Sequence, residues 1–285
     1  MAGDSDMRAV RRGERGVELA RVRAPEARPG EVTVAVAYAG ICRTDLAVAD
    51  GEIEVTIGRI LGHELSGRVD GEPVTVIPFS SSGAWLGVQR DGAFADRVCV
   101  PAECVLRLPT GMSLLAGAYV EPVAAALGVL ASIERGMRVL VSGDGRIAEL
   151  TARVIEAHGA DVLRTAPVAP GDVAPGDVAL CDVAIEHDGV VEPLLAALRP
   201  GGTLLLKSRR KRQLALPAGD LVARELTVRG VSHGSFAAAI DWLCTRRIEI
   251  DDLLAPPRPL EEFATVFAAA RASETRKQMF AIGDP

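Results

Sequence analysis

The sequence predicts an α/β plus β fold in two parts: a mostly antiparallel, barrel-like β domain, then a doubly wound parallel sheet. Three observations predict it. Through residue 110, short β-rich pieces alternate with Gly and Pro punctuation. From residue 116, strand and helix patterns alternate. The first strand of this second part runs straight into a glycine turn and an amphipathic helix.

In chain order, the β-rich pieces are EVTVAVAYAG (31–40), GRILGHELSGRV (58–69), PVTVIPF (73–79), FADRVCV (94–100) and CVLRLP (104–109). An Ala-rich helix, AGAYVEPVAAALGVLASI, follows from residue 116. The parallel strands are RVLVS (138–142), ADVLR (160–164), DVALCDVAIE (177–186), GTLLLKS (202–208) and ELTVRG (225–230). Between the first two lies a helix over 146–158, with Ile147, Leu150, Val154 and Ile155 at helical spacing and Gly159 as its stop. The stretch 165–177 holds Pro167, Pro170 and Pro175, which a helix interior rejects, so a loop replaces the expected crossover helix and the sheet reads as abbreviated. The tail predicts a helix at 235–246, a strand near 248–253 and an amphipathic helix around 260–272.

The chain's 285 residues, 48% hydrophobic and 25% charged, suffice for two packed domains. The net charge of −6 and scattered basic residues, apart from Lys207 and Arg209 to Arg212, argue against nucleic acid as a partner. Apolar runs such as 124–131 fall far short of the roughly 18–20 residues that span a bilayer, and the N-terminus lacks a hydrophobic signal core. The five cysteines, at 42, 99, 104, 181 and 244, form no CxxC pair. A cytoplasmic protein is expected.

The turn after RVLVS reads Gly143-Asp144-Gly145-Arg146-Ile147-Ala148, a G-x-G-x-x-A pattern in a strand–turn–helix setting. Gly143 permits the tight turn, Gly145 lets a pyrophosphate approach the backbone, and Ala148 lets the helix pack closely on the strand. The helix N-terminus offers N–H groups and a positive dipole end to the anion. The next strand ends Leu163-Arg164-Thr165-Ala166 with no carboxylate for the ribose hydroxyls. Arg164 or Thr165 would instead face a 2′-phosphate, which favours NADP over NAD.

Cys42 in GICRTD, His63 and Glu64 in LGHE, and Glu121 in YVEP supply the sulfur, nitrogen and oxygen donors that zinc accepts. Their separations are too long for a zinc finger and suit a catalytic site with three ligands and one open position. A lone Cys and a lone His are also common core residues, so spacing alone leaves both readings open.

The strings AGICRTDLAVADG, LGHELSGRV, DGAFADRVCVPAECVLRLP, AYVEPVAAALGVL, RVLVSGDGRIAELTARVIEAHGADV, LRPGGTLLLKS and RELTVRG occur in this order. Together they resemble the medium-chain dehydrogenase/reductase superfamily in its zinc-dependent alcohol and polyol dehydrogenase branch. The resemblance implies a GroES-like barrel domain over 1–117, completed by 251–285, and an abbreviated Rossmann domain over 118–250. It implies a hydride transfer between NAD(P) and a small alcohol, polyol or carbonyl compound, and a homodimer or a tetramer. Cys42, His63 and Glu121 would ligate one catalytic zinc, with Glu64 beside it as an outer or exchangeable group. Asp45 would orient His63, Arg43 would contact the cofactor pyrophosphate, and Thr44 would pass on the substrate hydroxyl proton.

The chain also departs from that family. Ala47 stands where many members carry the His that ends the proton path, and 77–91 has no Cys for a structural zinc. A degenerate, non-catalytic relative is therefore the alternative reading, while the Cys, His and Glu set disfavours a zinc-free quinone or enoyl reductase. Cys99, Cys104, Cys181 and Cys244 read as packing thiols. His187, at the C-terminal end of its strand, lies where cofactors bind such sheets.

Overall fold

The computed structural model describes residues 6–165, 180–208, 214–272 and 275–283. The proline-containing stretch expected as a loop over 165–177 lies outside them from residue 166 on, as do the basic residues 209–212. The chain divides into two compact units, Met1–Pro122 with Ala239–Pro285, and Val123–Ala238.

The first unit opens with an antiparallel hairpin, β1 (Asp6–Gly13) and β2 (Gly16–Arg23), that the sequence reading did not anticipate. Its apolar signal is thin: Met7 and Ala9 pack on Ile60 and Ala95, while β2 is exposed or half-buried throughout and carries charge. Arg8 secures the hairpin, bonding to Asp96 at 2.6 Å, Glu261 at 2.8 Å and the Ile282 carbonyl at 2.8 Å. Next come β3 (Glu31–Gly40), α1 (Arg43–Ala49), β4 (Glu64–Val69), β5 (Glu72–Val76), β6 (Arg97–Pro101) and β7 (Val105–Arg107), all the strand pairings among them antiparallel.

The predicted single helix from residue 116 is two, α2 (Leu114–Gly117) and α3 (Val120–Leu127), followed by a 3-10 turn at Gly128–Ser132. Pro122 explains the break. It lacks an N–H to bond back one turn, so it fits only in a helix's first turn, and α3 must begin just before it.

The second unit contains a five-stranded sheet in the order β12, β11, β10, β8, β9, all parallel. Its elements are β8 (Arg138–Ser142), α4 (Arg146–His158), β9 (Asp161–Thr165), β10 (Cys181–Glu186), α5 (Glu192–Ala197), β11 (Leu198–Leu206), α6 (Ala218–Ala223) and β12 (Thr227–Gly230). Central β8 and β10 are buried along nearly their whole length, which accounts for their unbroken apolar runs. On α4, Leu150, Ala152, Val154 and Ile155 are buried, and Gly159 caps the helix in the left-handed region.

The chain then passes through α7 (Phe236–Cys244) back into the first unit. Ile248 and Ile250 are buried as a strand's alternation would place them, but Leu253 is buried out of that register, and Asp251–Leu253 is a 3-10 turn and not the predicted strand. Beyond it, β13 (Arg258–Pro259), α8 (Phe263–Ala272) and β14 (Met279–Ala281) complete a seven-stranded sheet, β14 pairing with β3. Phe280 and Phe267 meet Phe94 edge-on at 5.0 and 6.1 Å between ring centroids, so the C-terminal segment shares the core of the barrel.

Candidate functional site

Cys42 sits just before α1, where the chain leaves β3, and His63 and Glu64 sit where a loop enters β4. Because β3 and β4 pair antiparallel with Gly40 opposite Glu64, two segments distant in sequence converge at one end of the sheet. Among the described residues, Cys42, His63 and Glu64 form a group whose ligand atoms all lie within 4.8 Å of one another. His63 and Glu64 are buried and Cys42 is half-buried. Glu121, at the start of α3, is buried outside that group, though near enough for its charge to act on Glu64.

Asp45 organises the loops. Its Oδ2 accepts the Cys42 N–H at 2.8 Å, its Oδ1 accepts the Gly62 N–H at 3.0 Å, and Oδ1 stands 3.5 Å from His63 Nδ1. With Nδ1 turned to Asp45, Nε2 is the nitrogen left for a metal. Thr44 Oγ1 lies 3.9 Å from Cys42 Sγ, and Arg43 is exposed. Trp85 closes one side, its ring edge-on to His63 at 6.1 Å.

Burial alone would lower the His63 pKa, but the negative potential of Asp45 and Cys42 outweighs it and holds the imidazole well above its ordinary value. Burial pushes the Glu64 carboxyl up, helped by Glu121 and opposed chiefly by Lys277. Both carboxylate oxygens of Glu64 face one buried cation, the ammonium of Lys277. Sulfur, imidazole and carboxylate donors gathered around negative potential fit zinc.

The sequence reading missed Lys277. It is fully buried, with Nζ 2.5 Å from each Glu64 oxygen. The signal was a lysine two residues before the apolar run Met279-Phe280-Ala281-Ile282.

In the second unit the predicted turn takes shape. Gly143 has φ 105°, a conformation that disfavours any side chain, and Gly145 is the residue before the first turn of α4. Ala148 is buried, and a Cβ at Gly143 would stand 3.6 Å from the Ala148 Cβ and 3.7 Å from the His187 Cβ. His187 thus borders the turn. Ser142 Oγ meets Asp188 Oδ2 at 3.3 Å, and Glu186, wholly buried, accepts the N–H groups of Gly189 and Ser208. Arg164 points to α4, pairing with Glu156 at 2.6 Å and Glu149 at 3.4 Å. Cys104 meets the Phe79 carbonyl at 3.6 Å, and burial pushes the Cys181 thiol up to about 11; both are packing thiols.

Residues 28–110 match the family model described as the alcohol dehydrogenase GroES-like domain. A solved structure of Sinorhizobium meliloti, described as a zinc-binding dehydrogenase bound to NADP, superposes with a TM-score of 0.87 at 28% identity, covering 98% of this chain and 100% of that one. Over nearly its whole length the chain is thus similar to the zinc-containing medium-chain dehydrogenase/reductase superfamily. Within that superfamily it is 32% identical over 175 residues to the 2-dehydro-3-deoxy-L-galactonate 5-dehydrogenase of Pseudoalteromonas atlantica, covering 50% of this chain and 51% of that one. It is also 32% identical over 173 residues to the sorbitol dehydrogenase of Halalkalibacterium halodurans, covering 50% of each. The matches span about half the length of these two curated relatives. No helix among the described residues is long and apolar enough to cross a membrane.

Proposed function

We propose that the chain is an NAD(P)-dependent, zinc-dependent oxidoreductase that interconverts a small alcohol or polyol and its carbonyl counterpart. The observation that carries this reading is the convergence of Cys42 and His63, with Glu64 beside them, their ligand atoms within 4.8 Å of one another. The glycine turn before α4 supports it, since its backbone and the positive end of a 13-residue helix suit a dinucleotide pyrophosphate. The S. meliloti structure's NADP and the polyol named for the H. halodurans relative point the same way.

Cys42 and His63 are the proposed zinc ligands, with Glu121 as the third. Bound there, zinc would supply Lewis acidity that holds an alcohol oxygen as alkoxide and polarises a carbonyl. Asp45 keeps the His63 ring in place through Nδ1 and ties the two ligand loops together. Thr44, half-buried beside Cys42, takes the hydroxyl proton of the substrate and hands it toward solvent. With Ala47 in place of a terminal histidine, water takes that proton. Arg43, exposed at the start of α1, is the proposed pyrophosphate contact. Gly143, Gly145 and Ala148 form the nucleotide-binding turn. For Arg164 to favour NADP, a 2′-phosphate must draw it from Glu156 and Glu149.

A homodimer and a cytoplasmic setting complete the proposal, the latter because a reducing compartment keeps Cys42 out of disulfides and free to ligate metal. The deciding experiment is metal content per chain, beside fluorescence titration with NADH and NADPH and turnover on an alcohol panel. One zinc per chain, binding of either nucleotide and turnover that Cys42→Ser abolishes are expected. Zinc with no turnover across the panel would instead favour the degenerate relative.

A further inference from the structure

A lysine with no accessible surface is rare, because an ammonium leaves water only when a partner replaces the lost solvation. Lys277 is such a residue, and its partner is the carboxylate next in sequence to His63. Its Nζ lies 2.5 Å from both Glu64 oxygens and 3.0 Å from the Ile41 carbonyl, one residue before Cys42. The backbone holds it on both sides: Lys277 N–H donates to Leu253 at 2.7 Å, and its carbonyl accepts from Ala255 at 2.9 Å. The neighbouring Gln278 carbonyl accepts the Ile41 N–H at 3.0 Å.

The sheet makes room for this pair. Gly40 of β3 lies opposite Glu64 of β4 on one side and Met279 of β14 on the other. A Cβ at Gly40 would come 2.6 Å from Glu64 Oε2, 3.1 Å from Lys277 Cε and 3.2 Å from Met279 Sδ.

We propose that Lys277 is a positioning residue that holds Glu64 as an ion pair at the edge of the metal centre, keeping it out of the coordination sphere and leaving a position for substrate oxygen. This rests on the zinc-dependent reading above. Glu64 is within ligand range of Cys42 and His63, so without Lys277 the nearest cation for its buried carboxylate is the metal. Cys42, His63, Glu121 and Glu64 together would fill four positions and close a site that catalysis needs open. With Lys277 present, the Glu64 pair is neutral, and the Cys42 thiolate and Glu121 carboxylate balance a divalent ion.

The test uses the full chain loaded with Co²⁺ as a spectroscopic probe, plus zinc affinity from chelator competition. Lys277→Met should bind zinc about tenfold or more tightly, change the cobalt visible spectrum as an oxygen ligand is added, and lose turnover. Lys277→Arg should restore the original affinity and spectrum, and adding Glu64→Gln to Lys277→Met should reverse the affinity gain. A folded Lys277→Met chain with weaker or unchanged zinc affinity overturns the proposal and leaves Lys277 a packing residue. Should Lys277→Met not fold, Glu64→Gln alone decides: an unchanged cobalt spectrum supports the proposal, and an altered one shows Glu64 to be a ligand and overturns it. A wild-type chain that takes up neither zinc nor cobalt overturns the metal-dependent reading itself, a result distinct from all of these.

Discussion

Asp45 Oδ1 stands 3.5 Å from Nδ1 of His63 while the same carboxylate accepts the backbone N–H groups of Cys42 and Gly62, and both side chains are 2% exposed. One acidic residue thus sets the spacing between two loops that carry candidate ligands. Asp45→Ala should weaken zinc binding by about 10- to 100-fold and lower the Tm, because two buried N–H groups lose their acceptor. Chelator competition and thermal unfolding check this. Unchanged zinc affinity would show that the loops hold their spacing unaided.

Gly40→Ala probes the crowding behind the site. Its Cβ, 2.6 Å from Glu64 Oε2, must push apart β3 and the Glu64–Lys277 pair. A loss of about 1–3 kcal/mol in unfolding free energy is expected, with weaker zinc binding. Gly219→Ala, at an exposed position of α6 with nothing within 4 Å of the added Cβ, serves as the comparison and should leave zinc affinity unchanged.

Gly143→Val places a branched side chain at φ 105°, against Ala148 and His187. NADH and NADPH affinity should each fall at least tenfold, read by fluorescence titration, with zinc content unchanged. Retained nucleotide binding would remove the turn from the proposed site.

The link between β8 and β11 is pH-sensitive in a defined direction. Asp182 accepts Arg199 Nε and the Arg138 N–H, each at 2.7 Å, and Arg199 above all holds its carboxyl below the ordinary value. A lowered pKa stabilises the fold above the unfolded-state value and loses that contribution as pH falls through the folded-state value. With Arg199 about half exposed, solvent screening keeps the effect to about 1 kcal/mol or less at pH 7. Urea unfolding of Asp182→Asn should show this deficit at pH 7 and a vanishing one as acid protonates Asp182. A deficit that persists in acid would assign the effect to packing.

Local rules made much of the chain readable. A strand, a G-x-G-x-x-A turn and an amphipathic helix follow one another within 21 residues, so each supports the others, and β8, α4 and the Gly159 stop are where the pattern places them. The N-terminal hairpin escaped because its buried face is small and its other face charged. The 248–253 segment misled because buried alternation is shared by strands and by loops that tuck apolar side chains inward.

By itself, the sequence determined the two-part β and α/β architecture, the phosphate-type turn and the donor residues Cys42, His63, Glu64 and Glu121, because residue chemistry and short-range periodicity are written locally. Only the tertiary structure decided which donors meet, that Asp45 spans both ligand loops, and that Lys277 from the C-terminal segment pairs with Glu64. The reason is physical: Glu64 and Lys277 are brought together by the pairing of β3 with both β4 and β14, strands remote in sequence. A buried charge then takes its meaning from whatever partner that register places beside it.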